Sequence, residues 1–405
     1  MKKVLVWDLY YVLKNSGGPA GYLYNIREYL SKNPSQKVEI HFLKDLIGIP
    51  NVNNSMNSKH KKLMKFIYFV DFLSIIGYYR LIRTWKFWNI KTKNSEIRGL
   101  NLNDFDVIHF HNSSDLYKAY DVLKSYNGKI ILTSHSPQPS SYEAVSHIKF
   151  KRSFVKTIFR EILFKKELKA WNYANYIMFP VDAAIEPYYV ENRIKEFKDT
   201  YPNKFIYCES AILEKPISNP IPRKELGVDD SKVMVCYIGR HNEIKGYDQL
   251  KLFAERILAK NKNIVFVIAG NEEPLKRLNH PNWIELGWIN YSHRLISTSD
   301  IFILPNKETY FDLVTLEVMR EGTPILMTKT GGNKYFSNYG DDFGFYLYNY
   351  GDIEEQENKF YKMVEELLHE NLNRKSIRIR KLFEDKFTIE HYINRYSELI
   401  CSICI

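Results

Sequence analysis

The residues best placed to do chemistry lie between Asp300 and Gly332. Asp300 to Pro305 is a short apolar run ended by proline, the pattern of a buried parallel strand. Leu313, Leu316, Glu317 and Arg320 then recur at helical spacing until Gly322-Thr323-Pro324, a helix stop. The first turn of that helix offers unpaired backbone N–H groups at Asp312, Leu313 and Val314, which suit a phosphate. Glu317, one turn further in, can accept hydrogen bonds from a ribose. Ile325-Leu326-Met327 reads as the next strand and Gly331-Gly332 as a tight turn. Strand, loop, helix, strand and turn in this order put the loop at the carboxyl end of a parallel strand, where doubly wound sheets bind ligands. The spacing thus describes a cradle for a nucleotide diphosphate.

The elements that must position this cradle follow the same alternation. Val233 to Ile238 reads as a strand, followed by Gly239-Arg240, Lys245-Gly246 and a helix from Tyr247 to about Ala259. Ile264 to Ala269, ending at Gly270, and Trp283 to Leu286, ending at Gly287, read as further strands of one parallel sheet. The first half repeats the pattern. A strand over 3–9 leads to Gly17-Gly18-Pro19-Ala20-Gly21 and a helix from Tyr22 to about Leu30. Such a glycine-rich turn lets a ligand's polar group approach the backbone, although it is neither GxGxxG nor a Walker loop. Asp106 to His111 is a strand ending in histidines, a helix is expected near 115–126, and Lys129 to Thr133 runs on to His135. His111 and His135 therefore stand at the carboxyl ends of successive strands, facing one crevice. Asp104-Phe105-Asp106 is formally a metal-binding DxD, but it leads directly into a strand and is read as that lead-in. Pro216, Pro220 and Pro222 mark residues 208–232 as a linker.

At 405 residues with 45% hydrophobic side chains, the chain is expected to form two packed domains. The four cysteines are few and scattered, as in a reducing compartment, and the Cys401/Cys404 pair lacks two further ligands for a metal. The chain starts directly on a strand, without the pattern of a secretory leader, and has no apolar run long enough to span a bilayer. Its net charge of +11 is concentrated in residues 59–93 and 149–169, where basic side chains interleave with aromatics and aliphatics. Basic amphipathic helices of this kind suit an anionic membrane surface. No nucleic-acid-binding motif accompanies the charge.

In order and spacing, these pieces resemble the retaining, nucleotide-sugar-dependent glycosyltransferases of family 4, also called glycosyl transferases group 1. The resemblance runs nearly end to end. Its strongest parts are Gly239-Arg240 with Lys245-Gly246, Phe311 to Glu317, and Gly331-Gly332, supported by Gly17-Gly18, Asp106 to His109 and Thr133 to His135. It implies the GT-B fold: α/β, two Rossmann-like doubly wound parallel-sheet domains facing a cleft. Residues 1–215 would form the acceptor domain and 216–385 the donor domain, with a helix over 386–405 (Phe387, Tyr392, Tyr396) packing back on the first. Arg240 and Lys245 would clamp the donor's diphosphate and, with His135, form the catalytic set. His135 would hydrogen-bond the transferred sugar, Glu317 the ribose, and the Leu313 and Val314 amides the distal phosphate. Gly17, Gly18, Gly239 and Gly270 would line the donor site, with His111 and Gly21 on the acceptor side.

The family carries two glutamates in this region. The earlier position is Thr309 in this chain, with Glu308 beside it, and Asp312 replaces a usual small residue. Either Glu308 or Thr309 would then face the sugar. The resemblance implies a nucleotide-sugar donor (UDP favoured), no metal or other cofactor, and a glycan or lipid-linked acceptor. The expected place is the cytoplasm, peripheral to the membrane, in surface-polysaccharide synthesis. A non-catalytic subunit holding a partner transferase is the alternative.

Overall fold

The computed structural model describes residues 1–13, 18–35, 37–49, 75–146, 148, 153–369 and 371–404. Gly17 and the parts of the basic segments at 59–74 and 149–152 lie outside them. The chain divides into two compact units. One holds residues 1–179, 188–208 and 393–405, and the other holds 180–187 and 209–392. Each is an α/β unit around a six-stranded parallel sheet.

In the first unit the strands are β1 (Lys2–Trp7), β2 (Val38–Phe42), β3 (Val107–Phe110), β4 (Lys129–Thr133), β5 (Tyr176–Phe179) and β6 (Phe205–Tyr207). They lie in the order β2-β1-β3-β4-β5-β6. The chain steps outward from β1 to β2, then returns to the other side of β1 to lay down β3. That reversal leaves a crevice at the carboxyl ends of β1 and β3. Helices α1 (Pro19–Lys32), α2 (Leu43–Leu46), α3 (Ile75–Asn89), α4 (Ser113–Ala119), α5 (Ser140–Ser146), α6 (Ser153–Tyr173) and α7 (Asn192–Thr200) complete the unit.

Two helices depart from the expected bounds. α1 starts at Pro19 rather than Tyr22, because Gly18 makes the bend at φ 83° and proline's fixed φ suits the first helical turn. Gly21 therefore lies buried inside the helix instead of in a loop. α4 ends at Ala119 rather than near 126, and the chain beyond turns, Val122 and Leu123 both donating to the Ala119 carbonyl.

The second unit contains β7 (Val233–Ile238), β8 (Ile264–Ala269), β9 (Trp283–Glu285), β10 (Ile301–Leu304), β11 (Ile325–Thr328) and β12 (Phe345–Tyr348), ordered β12-β11-β10-β7-β8-β9. Its helices are α8 (Tyr247–Lys260), α9 (Ser292–Thr298), α10 (Leu313–Glu321), α11 (Ile353–Leu368) and α12 (Asn371–Lys386). β8 and β10 are buried along their whole length, as the unbroken apolar runs IVFVIA and IFIL require of strands covered on both faces. The core joins Val235, Phe253, Ile264, Phe266, Ile303, Leu326 and Phe360. Here the reversal falls between β7 and β10.

The proline-bearing stretch after Glu209 is packed rather than free. The Ile221 N–H donates to Thr298 Oγ1 at 2.7 Å, and Arg223 pairs with Asp300 at 2.7 Å. The last helix, α13, spans Ile389–Ile403. Residues from Ile393 belong to the first unit, whereas Phe387 belongs to the second, its ring 6.3 Å from that of Phe311 and 6.1 Å from that of Phe336. The reason is local: Phe387 sits before the helix, beside the Ile212–Thr388 bridge.

Candidate functional site

The second unit's topological crevice is built from the loops after β7 and β10. Gly246 has φ 66°, and a Cβ there would lie 1.7 Å from the Pro305 carbonyl oxygen. No other residue lets the Lys245 loop rest on the end of β10. Lys307 N–H donates to the Ile244 carbonyl at 3.0 Å and fastens the same two loops. On the other side, a Cβ at Gly270 would lie 1.9 Å from the Gly239 carbonyl oxygen, so β8 ends directly against the turn that carries Arg240. Arg240 is exposed and holds no ion pair among the described residues.

α10 starts at Leu313 with Asp312 in the capping position, and the first-turn amides of a helix have no intrahelical partners. Gly322, at φ 81°, closes it: Gly322 N–H donates to the Met319 carbonyl and Thr323 N–H to that of Val318. Glu317 lies one turn into the helix. Burial pushes its carboxyl up, against a downward pull from Arg320 and Lys215.

Asp312 does not cap the helix with its side chain. Its carboxylate instead accepts from Lys245 Nζ at 2.7 Å and from Asn306 Nδ2. Thr309 is fully buried and its hydroxyl has no hydrogen-bond partner, while Glu308 is half-buried. Asn306 Oδ1 and Asn333 Oδ1 are likewise buried and unpartnered. Gly331 and Gly332 bring the next turn against this loop, since Cβ atoms there would lie 2.1 Å from the Thr309 and 2.0 Å from the Tyr310 carbonyl oxygens. The turn opens a short 3-10 segment, Gly331–Asn338.

One residue the sequence reading passed over is His241, next to Arg240. It is fully buried, stacks on Tyr247 with ring centroids 3.9 Å apart, and puts Nε2 3.2 Å from Glu285 Oε1. Burial raises the Glu285 carboxyl to about 7 and lowers the His241 imidazole to about 4. Its position two residues beyond a strand-end glycine was the available signal. Asn306 had the same signal, one residue after Pro305.

In the first unit, His111 Nδ1 and His135 Nε2 lie 2.9 Å apart, so the two strand-end histidines share a hydrogen bond. His109, on β3, lies with its ring centroid 4.1 Å from that of His111, tilted at 30°, and bonds Tyr396 OH through Nδ1 and Thr133 Oγ1 through Nε2, each at 2.8 Å. Tyr396, on the C-terminal helix, reaches this site from 287 residues further along the chain, a partnership that no local pattern encodes. Burial lowers all three imidazoles: His109 to about 3, His135 to about 4, and His111 well below the ordinary value. They are neutral hydrogen-bonding groups at pH 7. Gly18 stands at the start of α1 with open space around it.

Asp106 ties the start of β1 to the start of β3. It accepts from Lys3 N–H at 2.8 Å and Lys2 Nζ at 3.2 Å, at the amino ends of the strands. Beside it, a hollow of about 430 Å³ is lined by Lys2, Asp106, Lys129 and Cys404, away from the chemistry-bearing strand ends. Among the described residues, no group of three or more His, Cys, Asp or Glu side chains is placed to hold a metal ion.

Residues 232–368, which contain Arg240, Lys245, Asp312 and Glu317, match the family described as glycosyl transferases group 1. Over that stretch, about a third of the chain, it is similar to that family. Among curated proteins, it is 28% identical over 120 residues to an uncharacterized glycosyltransferase, MJ1607, of Methanocaldococcus jannaschii, covering 27% of this chain and 30% of that protein. It is 23% identical over 312 residues to an uncharacterized 41.2 kDa protein in the cps region of Klebsiella pneumoniae, covering 75% and 80% respectively. Among solved structures, Anabaena HepE in complex with UDP-glucose aligns over 99% of this chain and 100% of its own, with a TM-score of 0.59 and 14% identity. That likeness, over the whole length, gives the fold as GT-B.

Proposed function

We propose that the chain is a glycosyltransferase that moves a sugar from a nucleoside-diphosphate donor, UDP-linked and hexosyl or N-acetylhexosaminyl, to a hydroxyl of a glycan or lipid-linked acceptor. The carrying observation is that Arg240 and Lys245, after β7, and the start of α10, after β10, flank the reversal point of the second unit's sheet. Fixed cations and helix amides there stabilise the charge that grows on a departing diphosphate, with no metal required. Glu317, one turn in, holds the ribose, and Thr309 or Glu308 faces the sugar. A hexosyl donor with uridine fits the fold shared with HepE, whose structure was solved in complex with UDP-glucose.

The reaction retains the anomeric configuration. The bond from the anomeric carbon to the diphosphate oxygen breaks, and the acceptor oxygen bonds to the same face. The acceptor's proton passes to the departing phosphate. His135, neutral and held by His111, donates or accepts a hydrogen bond at the sugar. The protein works in the cytoplasm at a membrane face, in surface-polysaccharide synthesis. α3 and α6 favour this: Tyr79, Trp85, Phe154 and Ile158 are exposed among Arg83, Lys86 and Lys165.

A non-catalytic reading is favoured by a different observation, the Asp312 carboxylate already seated on Lys245. Melting curves and transfer assays with a panel of nucleotide sugars separate the two. We expect one donor to raise Tm and to be turned over, and Lys245→Ala to cut kcat about 10²-fold or more. A wild type that neither binds nor turns over any donor would leave only the non-catalytic reading.

A further inference from the structure

We propose that Asp312 is an internal anion occupying the seat of a donor phosphate, and that it determines how much leaving-group charge the site accepts. The inference rests on the donor reading of the second unit. Asp312 directly precedes α10, the place where a side-chain oxygen would ordinarily cap the helix. It leaves the cap unmade and turns to Lys245 Nζ at 2.7 Å, with Asn306 Nδ2 as a second donor. The Lys245 and Asp312 side chains are 28% and 17% exposed, so the pair is only partly screened by water. The ammonium nearest the helix start is thus neutralised before any ligand arrives.

Of the two cations assigned to the diphosphate, Arg240 alone keeps an uncommitted charge. A phosphate reaching the α10 amides meets the Asp312 carboxylate at the same spot. It must either displace that carboxylate from Lys245 or bring less charge. The surroundings are built for a polar ligand and not for a closed surface. Asn306 Oδ1, Thr309 Oγ1 and Asn333 Oδ1 belong to fully buried side chains on the loop and turn beside Asp312, and none has a partner. Buried polar atoms left this way are costly unless a bound group meets them. The second phosphate is therefore weakly recognised in the native chain, and Asp312 discriminates by charge.

The test measures affinities for UDP, GDP and ADP, each beside its nucleoside monophosphate, by calorimetry on the full chain. Asp312→Asn keeps the shape and the hydrogen bonds and removes the charge; Asp312→Ser keeps a capping oxygen and serves if the amide variant melts early. In the wild type, we expect the best diphosphate to bind within about threefold of its monophosphate. In D312N, we expect the diphosphate to bind about tenfold tighter, with the monophosphate nearly unchanged. Because the effect runs through Lys245, the gain should vanish when D312N is combined with Lys245→Ala.

Equal or weaker diphosphate binding in both D312N and D312S would overturn the proposal, as would a gain that survives in the Lys245→Ala background. If the wild type binds a diphosphate and K245A loses it while D312N gains nothing, the donor reading stands and the role of Asp312 falls. If no nucleotide binds any of the proteins, the donor reading itself fails and carries this inference with it.

Discussion

Thr309 stands in the loop after β10, where the resembled family has a carboxylate, and its hydroxyl is buried without a partner. An unpaired buried hydroxyl costs about 1–3 kcal/mol, and an isosteric methyl removes that cost. Thr309→Val should therefore melt at the same temperature as the wild type or higher. If the hydroxyl meets the sugar, the same variant should lose affinity for the whole donor while keeping affinity for the bare nucleotide. Thermal melts and calorimetry on one preparation read both effects.

The histidines of the first unit make a pH-dependent prediction at the same scale. Burial holds His109 at about 3, His135 at about 4, and His111 well below the ordinary 6.5. The unfolded chain thus binds protons that the folded one refuses. Their contribution is complete above pH 6.5 and is lost as the pH falls from there through 4 towards 3. Each such group adds about 1.4 kcal/mol of stability per pH unit in that window. Urea midpoints between pH 7 and 4 should fall steeply, and His109→Gln should flatten the curve by about one proton's worth.

At the scale of elements, the proposed donor site depends on glycines where two strand ends meet. Gly246 combines φ 66° with a contact to the Pro305 carbonyl that no Cβ could tolerate, and Gly270 does the same against Gly239. Gly246→Ala should destabilise the second unit by about 2–4 kcal/mol, through strain and the forced separation of the β7 and β10 loops. Denaturant titration measures that loss. A control at Gly287, where a Cβ would meet open space, should show only the smaller cost of its φ of 67°. The helices behave differently: α10 ends on Gly322, and the Asp312 side chain ahead of it makes no cap bond.

For the whole molecule, charge and apolar exposure coincide on one helix pair of the first unit. α3 and α6 bury Leu81, Trp88 and Leu163 against α5, and leave Tyr79, Trp85, Phe154 and Ile158 at the surface. Vesicles rich in anionic lipid should pellet the protein, neutral ones should not, and added salt should release it, at about 1 kcal/mol per basic residue near the surface. Trp85→Glu with Ile158→Glu should abolish pelleting and leave turnover of a soluble acceptor intact. No described helix is long and apolar enough to cross a bilayer, so any attachment through these helices lies along the surface.

The amino-acid order alone determined the alternation of apolar runs and helices, hence two parallel sheets, because a strand buried on both faces must be apolar throughout and a helix must be apolar on one side. Gly239, Gly246, Gly270, Gly331 and Gly322 were legible for the same reason: backbone geometry is local. So was the start of α10 at Leu313, where a helix leaves its first amides without intrahelical partners. What only the tertiary structure decided are the pairings across distance. Lys245 reaches Asp312 from 67 residues away, and His109 reaches Tyr396 from 287. The boundary at Cys208 and Glu209, and the packing of the proline stretch against Thr298 and Asp300, belong there too. A side chain's spacing along the chain says what it could bind. Which partner it takes depends on how the loops are laid side by side, and no local pattern encodes that.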